Sequence, residues 1–142
     1  MEMNRNMIIN IGFDVIEIER IESSFKRFGK KFTDRCFTPQ ELTLAKSRAY
    51  PWKTLAKRFA AKEACGKALS TGLGQGVRWA DIEVTTKPEG QASLTLHHKA
   101  LEHLNRQIPA GHTPHIHVSL SDDQTHAYAW VIISAERLQT EG

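Results

Sequence analysis

The chain has 142 residues, enough for a single domain over 1–142 with a real core, and carries 40% hydrophobic and 25% charged residues. No stretch nears the roughly 20 apolar residues of a membrane-spanning helix, and the start, MEMNRNMIINIGFD, lacks a signal-peptide layout. Net charge is +3, a mild bias toward acidic partners and too weak for a nucleic-acid reader. The only cysteines, Cys36 and Cys65, sit among apolar residues, which fits a reducing cytoplasm and no disulfide framework.

Met7 to Phe13 (MIINIGF) predicts a short apolar strand. Asp14 and Glu17 follow in capping-box spacing, and Ile18, Ile21, Phe25 and Phe28 then recur at helical spacing. Gly29 ends or loosens that helix. Thr38-Pro39-Gln40-Glu41 starts a second helix, with a threonine cap, proline at the first position and glutamate at the third. It should run to about Arg48 and stop before Pro51. A third helix is expected from Leu55 to Leu69, broken by the glycine-rich Thr71 to Gly76.

The remainder reads mostly as strand. Ile82 to Thr86 and Ala92 to Leu96 alternate and turn at Pro88-Glu89-Gly90, a hairpin. Lys99 to Gln107 predicts a helix, and His115 to Leu120 with Ala127 to Ser134 a last strand pair around the polar loop Ser121 to Thr125. The class is α+β, antiparallel strands packed by helices.

Two acids carry the chemical interest. Asp14 ends an apolar strand, where it caps the helix or ligates a metal; one carboxylate can do both. On the third helix Glu63 lies about 40° from Phe59 around the axis, so it borders the apolar stripe. An exposed Glu63–Lys67 pair is the plain alternative. An acid buried beside Phe59 needs a stronger partner than one solvated lysine, and a divalent cation supplies it. Two hard oxygen ligands among lysines suit magnesium holding a polyphosphate. Arg58, Lys62 and Lys67 surround the acid and either neutralise phosphates or form a solvated face.

Arg20, Arg27 and Lys31 lie within about 20° of one line on the first helix, a basic ridge opposite Ile18, Ile21 and Phe25. It is either a docking surface or an ordinary charged face, and is too short for a nucleic-acid footprint. His115 and His117 point to one side of a strand, but no cysteine or acid stands at companion spacing for zinc. His117 can still reach a phosphate. Trp52, Trp79 and Trp130 belong to a core or an interface.

With these residues in place, the sequence resembles the holo-[acyl-carrier-protein] synthases, small bacterial 4′-phosphopantetheinyl transferases. The carrying motifs are Ile11-Gly12-Phe13-Asp14, Glu17 to Ile21, Arg58 to Ala68, Thr71-Gly72 and His117-Val118-Ser119-Leu120-Ser121, in order over Ile8 to Ile133. The resemblance implies transfer of the phosphopantetheine arm of coenzyme A to a serine of apo-acyl carrier protein, in support of fatty acid biosynthesis. It also implies a compact α+β homotrimer with active sites between subunits. Asp14 and Glu63 fall on the magnesium ligands and, with Lys67, on the catalytic set. Lys67 and His117 fall on the coenzyme A side, and Arg20 and Arg27 on the carrier-protein side; the residues' own reading adds Arg58, Lys62 and Gly72 as phosphate or coenzyme A contacts and Lys31 to the docking ridge. The proton acceptor is left open between Glu63 and a metal-held water. Many relatives place a histidine after the Ser-Leu-Ser run, where this chain has Asp122.

Two other classes remain at this point. A different magnesium enzyme acting on nucleotides or pyrophosphates keeps Asp14, Glu63 and Lys67 but has no use for the ridge. A non-catalytic module for acidic helical proteins keeps the ridge but not the acids.

Overall fold

A computed structural model describes residues 6–139. Its frame is a three-stranded antiparallel sheet in the order β1-β5-β4. β1 spans Asn6–Glu17, β4 His112–Asp122 and β5 His126–Arg137. The first strand is longer than expected. Its ladder with β5 continues through Asp14↔Ala129 to Glu17↔His126, with an irregularity at Ile8/Asn10. Asp14 is therefore a mid-strand residue, not a helix cap. The cross-strand ladder wins over the local Asp-x-x-Glu signal because β1 pairs with β5 along its whole length, satisfying the backbone groups that it turns toward that neighbour.

Helix α1 (Ile18–Phe28) begins at Glu17 without a side-chain cap. The Ile18 amide instead donates to the Thr125 carbonyl at 2.9 Å, so the β4–β5 turn closes that end. Gly29, at φ 64°, breaks the helix in a conformation that costs glycine little. A short helix not expected from the sequence, α2 (Lys30–Cys36), follows. Its signal is hard to see in seven residues with no side-chain cap.

Helix α3 (Pro39–Lys46) has the expected capping box at Thr38 and Glu41. Helix α4 (Pro51–Ala68) starts one turn earlier than Leu55, with proline at its first position. Five alanines favour the helix, and Ala56, Ala60, Ala61, Ala64 and Ala68 are all fully buried. This helix lies on β1 and β5 and carries the core. The hairpin of β2 (Ile82–Thr86) and β3 (Ala92–Leu96) forms a second sheet beside it, and α5 (His98–Gln107) leads to β4.

The main sheet has two unlike faces, because side chains alternate along a strand. Gly12 and Ile16 of β1 and Ala127, Ala129, Val131, Ile133 and Ala135 of β5 are buried toward α4. The outer face carries Ile11, Phe13, Val15 and Trp130, each 43–58% exposed, with the Phe13 and Trp130 rings 4.9 Å apart. Among the described residues no helix is long and apolar enough to cross a membrane.

Candidate active site

β1 and α4 bring Asp14, Glu63 and Lys67 together from about fifty residues apart in sequence. Asp14 points to the α4 side of the sheet, partly buried. Lys67, one turn beyond Glu63, reaches across to it. Its Nζ donates to Asp14 Oδ1 at 3.1 Å and to the Phe13 carbonyl at 2.8 Å. The lysine thus pairs with Asp14 rather than with its helical neighbour Glu63.

Glu63 is half-buried, and its pKa is raised above the ordinary carboxylate range. Burial is the main cause and the nearby Asp14 charge the second, while Lys67 and Arg20 act in the opposite sense. No ion pair closes on Glu63 among the described residues. A half-buried Glu63 beside the Asp14 carboxylate creates a demand for positive charge.

The donor set decides which cation can meet that demand. Among the described residues no group of three or more His, Cys, Asp or Glu is placed to hold a metal ion. Magnesium commonly takes one or two carboxylates and fills its other positions with water and substrate phosphate oxygens. Asp14 and Glu63 fit that habit.

Arg58 and Lys62 sit elsewhere, and the expectation that they flank Glu63 is corrected. Lys62 is fully buried on another side of α4. Its Nζ pairs with Glu41 Oε1 at 2.9 Å and donates to the carbonyls of Trp79 at 3.0 Å and Ile82 at 2.6 Å. With all three donors used, it has none left for a phosphate. Burial lowers its pKa and the Glu41 charge opposes that shift. Arg58 is also buried; its Nη2 donates to Thr86 Oγ1 at 3.3 Å. Its Nε has no partner, an unfilled donor of the kind an anion would satisfy.

Arg20 and Arg27 are exposed along α1 and line a groove of about 270 Å³ with Glu17, Ser24 and Phe28. The Arg27 guanidinium lies 5.1 Å from the Phe28 ring centre. Lys31 does not continue the same helical line, because Gly29 has redirected the chain into α2. It borders a neighbouring cavity of about 420 Å³ with Ser24, Phe28, Phe59 and Trp79. The two cavities share Ser24 and Phe28, so the basic surface bends rather than ends.

Gly72, at φ 61°, returns the chain after α4, and its amide donates to the Gly66 carbonyl at 3.0 Å. His117 is not brought to the acids within one chain. It stands on the outer sheet face, its Nε2 3.0 Å from Ser134 Oγ. Asp122, at the end of β4, pairs with Lys57 Nζ at 2.9 Å. The buried thiols of Cys36 and Cys65 are pushed up to about 11 and about 12, so neither is a nucleophile at neutral pH.

Comparison with known proteins identifies the family of the chain. The 4′-phosphopantetheinyl transferase superfamily profile matches residues 10–130. The holo-[acyl-carrier-protein] synthase of Methylorubrum extorquens is 51% identical over 129 residues, covering 91% of this chain and 95% of that protein. The chain belongs to the holo-[acyl-carrier-protein] synthase family. A second member, from Azorhizobium caulinodans, is 49% identical over 134 residues, covering 94% of this chain and 98% of its own. Among solved structures, the Helicobacter pylori synthase in complex with coenzyme A matches at 33% identity and a TM-score of 0.74. That match covers 87% of this chain and 98% of the other. The Neisseria meningitidis synthase reaches a TM-score of 0.78 at 34% identity, over 89% and 98% of the two chains.

Proposed function

We propose that this protein transfers the 4′-phosphopantetheine group of coenzyme A to a serine of apo-acyl carrier protein, releasing adenosine 3′,5′-bisphosphate. The observation that carries this reading is the meeting of Asp14, Glu63 and Lys67 at one edge of α4, in a chain of this family. The serine oxygen forms a bond to the β-phosphorus, the bond to the bridging oxygen breaks, and the hydroxyl proton leaves. Asp14 and Glu63 would hold Mg²⁺, which would supply positive charge to neutralise the pyrophosphate. Lys67 stands beside Asp14 and adds a donor for the same oxygens. Glu63 is the acceptor we assign to the serine proton. Arg58, with its unfilled Nε, and Gly72 are retained as contacts for coenzyme A.

Two further parts of the reading concern surfaces. The exposed apolar face of β1 and β5 supports a homotrimer packed through it, with active sites between subunits. His117 lies on that same outer face, where a partner's bound coenzyme A is within reach only across an interface. Arg20 and Arg27, with Lys31 past the bend, would meet an acidic helix of the carrier protein. The expected setting is fatty acid biosynthesis in the cytoplasm.

The deciding experiment incubates the protein with coenzyme A, Mg²⁺ and apo-acyl carrier protein and weighs the carrier. The carrier should gain one phosphopantetheine, and chelation of the metal should stop the gain. A carrier left unmodified, yet competent with another synthase, would refute the assignment.

A further inference from the structure

On the inner face of β1, Gly12 stands two residues before Asp14, on the same side of the strand. A Cβ built at Gly12 would lie 1.9 Å from the Ala64 carbonyl oxygen, 2.9 Å from its carbon and 3.0 Å from the Ala68 amide nitrogen. All three are backbone atoms of α4, so no side-chain rotation can make room. The whole helix must back away from the strand. Ala64 follows Glu63 in the chain, and Lys67 precedes Ala68. The closest point of the helix–strand contact is thus locked to the residues that face Asp14.

The same approach sets the reach of Lys67, whose Nζ donates to Phe13 and Asp14, the two residues that follow Gly12 in the strand. A methyl group at position 12 would move α4 by about 1 Å, a displacement that by itself can cost 10²-fold when it misplaces reacting groups. Catalytic constellations tolerate only about 0.5 Å.

We propose that Gly12 is a positioning residue: its bare backbone sets the depth at which α4 rests on β1, and so the separation of the Asp14 and Glu63 carboxylates. It touches neither substrate nor metal. The proposal rests on the reading of those two acids as one cation site, and the experiment keeps the two ideas apart.

The experiment measures Mn²⁺ binding by electron paramagnetic resonance, with no substrate present, alongside far-UV circular dichroism and thermal melting. Four proteins are compared: wild type, Asp14→Asn, Gly12→Ala and Ala135→Val. The last adds bulk to the same buried sheet face at the far end of β5, opposite Met7. Wild type should bind and Asp14→Asn should not. Gly12→Ala should keep its secondary structure yet bind Mn²⁺ at least tenfold more weakly. Its kcat should fall about 10²-fold, while KM for the carrier protein, read by α1, stays within twofold. Ala135→Val should lose melting temperature but keep its affinity for Mn²⁺. If Gly12→Ala does not fold, Ala64→Val, which adds bulk at the buried residue whose carbonyl lies nearest Gly12, should show the same selective loss of Mn²⁺. If wild type binds no Mn²⁺, the cation-site reading falls and this inference with it. If wild type binds, Asp14→Asn does not, and Gly12→Ala or Ala64→Val binds like wild type, the positioning role alone is overturned.

Discussion

Lys62 and Glu63 are chain neighbours on α4, yet the fold treats their charges in opposite ways. Lys62 is sealed, and its partner Glu41 is sealed with it. Glu41 accepts from the Thr38 amide at 2.8 Å, from Lys62 at 2.9 Å and, through its other oxygen, from the Val84 amide at 2.8 Å. That network ties α3, α4 and β2 together and leaves nothing unpaired. Glu63 is half-buried beside a second carboxylate, with only longer-range help from Lys67 and Arg20. A satisfied buried ion pair holds a fold. A strained acid next to another acid waits for a ligand. The comparison separates structure from chemistry across a single peptide bond.

The sharpest way to break this comparison is at the satisfied pair. Glu41→Ala strands a buried ammonium and two backbone amides, and should cost about 3–5 kcal/mol of stability in a denaturant melt. Replacing both partners, Glu41→Leu with Lys62→Met, should recover part of that loss, because no buried charge is then left alone. Full stability in Glu41→Ala would show the pair is not structural.

The next effect belongs to the other side. Asp14→Ala and Glu63→Ala should each lower transfer by about 10²-fold or more at saturating Mg²⁺, the scale of losing a central electrostatic stabiliser. Melting should change far less than in Glu41→Ala. Near-normal turnover in either variant would sink the metal reading.

Lys67→Ala should follow, with coenzyme A kinetics impaired and stability changed by no more than about 1 kcal/mol, since Lys67 is half-exposed. Kinetics and melting run side by side separate these outcomes. A smaller effect is expected from Arg20→Glu with Arg27→Glu. Carrier KM should rise and coenzyme A KM stay nearly constant, and wild-type activity should fall with salt, as exposed charges are screened over about 10 Å at 0.1 M. Equal weakening toward both substrates would return α1 to an ordinary charged face.

The smallest effect sharpens the contrast most directly. The folded pKa of Glu63 lies above its unfolded value, so the folded chain holds that proton more tightly. The stabilisation is fully present below the ordinary carboxylate pKa and is lost as pH rises through the folded value. With metal chelated, Glu63→Gln should therefore melt slightly above wild type at pH 7, and the gap should close as pH falls below the ordinary carboxylate range, where wild type is protonated too. A glutamine variant less stable at both pH values would mean Glu63 is not strained.

Local signals survived into the structure wherever they depended on short-range chemistry. The Thr38–Glu41 capping box, the Ile82 to Leu96 hairpin and the apolar stripe of α1 are each decided within a few residues, and each is present. The two acids and Lys67 were also legible as residues to watch, although Asp14 was read as the end of its strand and stands within it. Their partners were not. Lys67 bonds across to β1 rather than along α4, and Lys62 faces Glu41 rather than Glu63.

Sequence alone determined the α+β class, the order of most elements, the family resemblance and the acids to watch, since all of these are carried by spacing along the chain. The folded chain was needed to show that β1 runs on past Asp14 and that His117 stands on the opposite sheet face from Glu63. It alone also showed how closely α4 can rest on Gly12. Those outcomes depend on ladder pairing and backbone approach between segments about fifty or more residues apart, and no local pattern encodes a distance across such a gap.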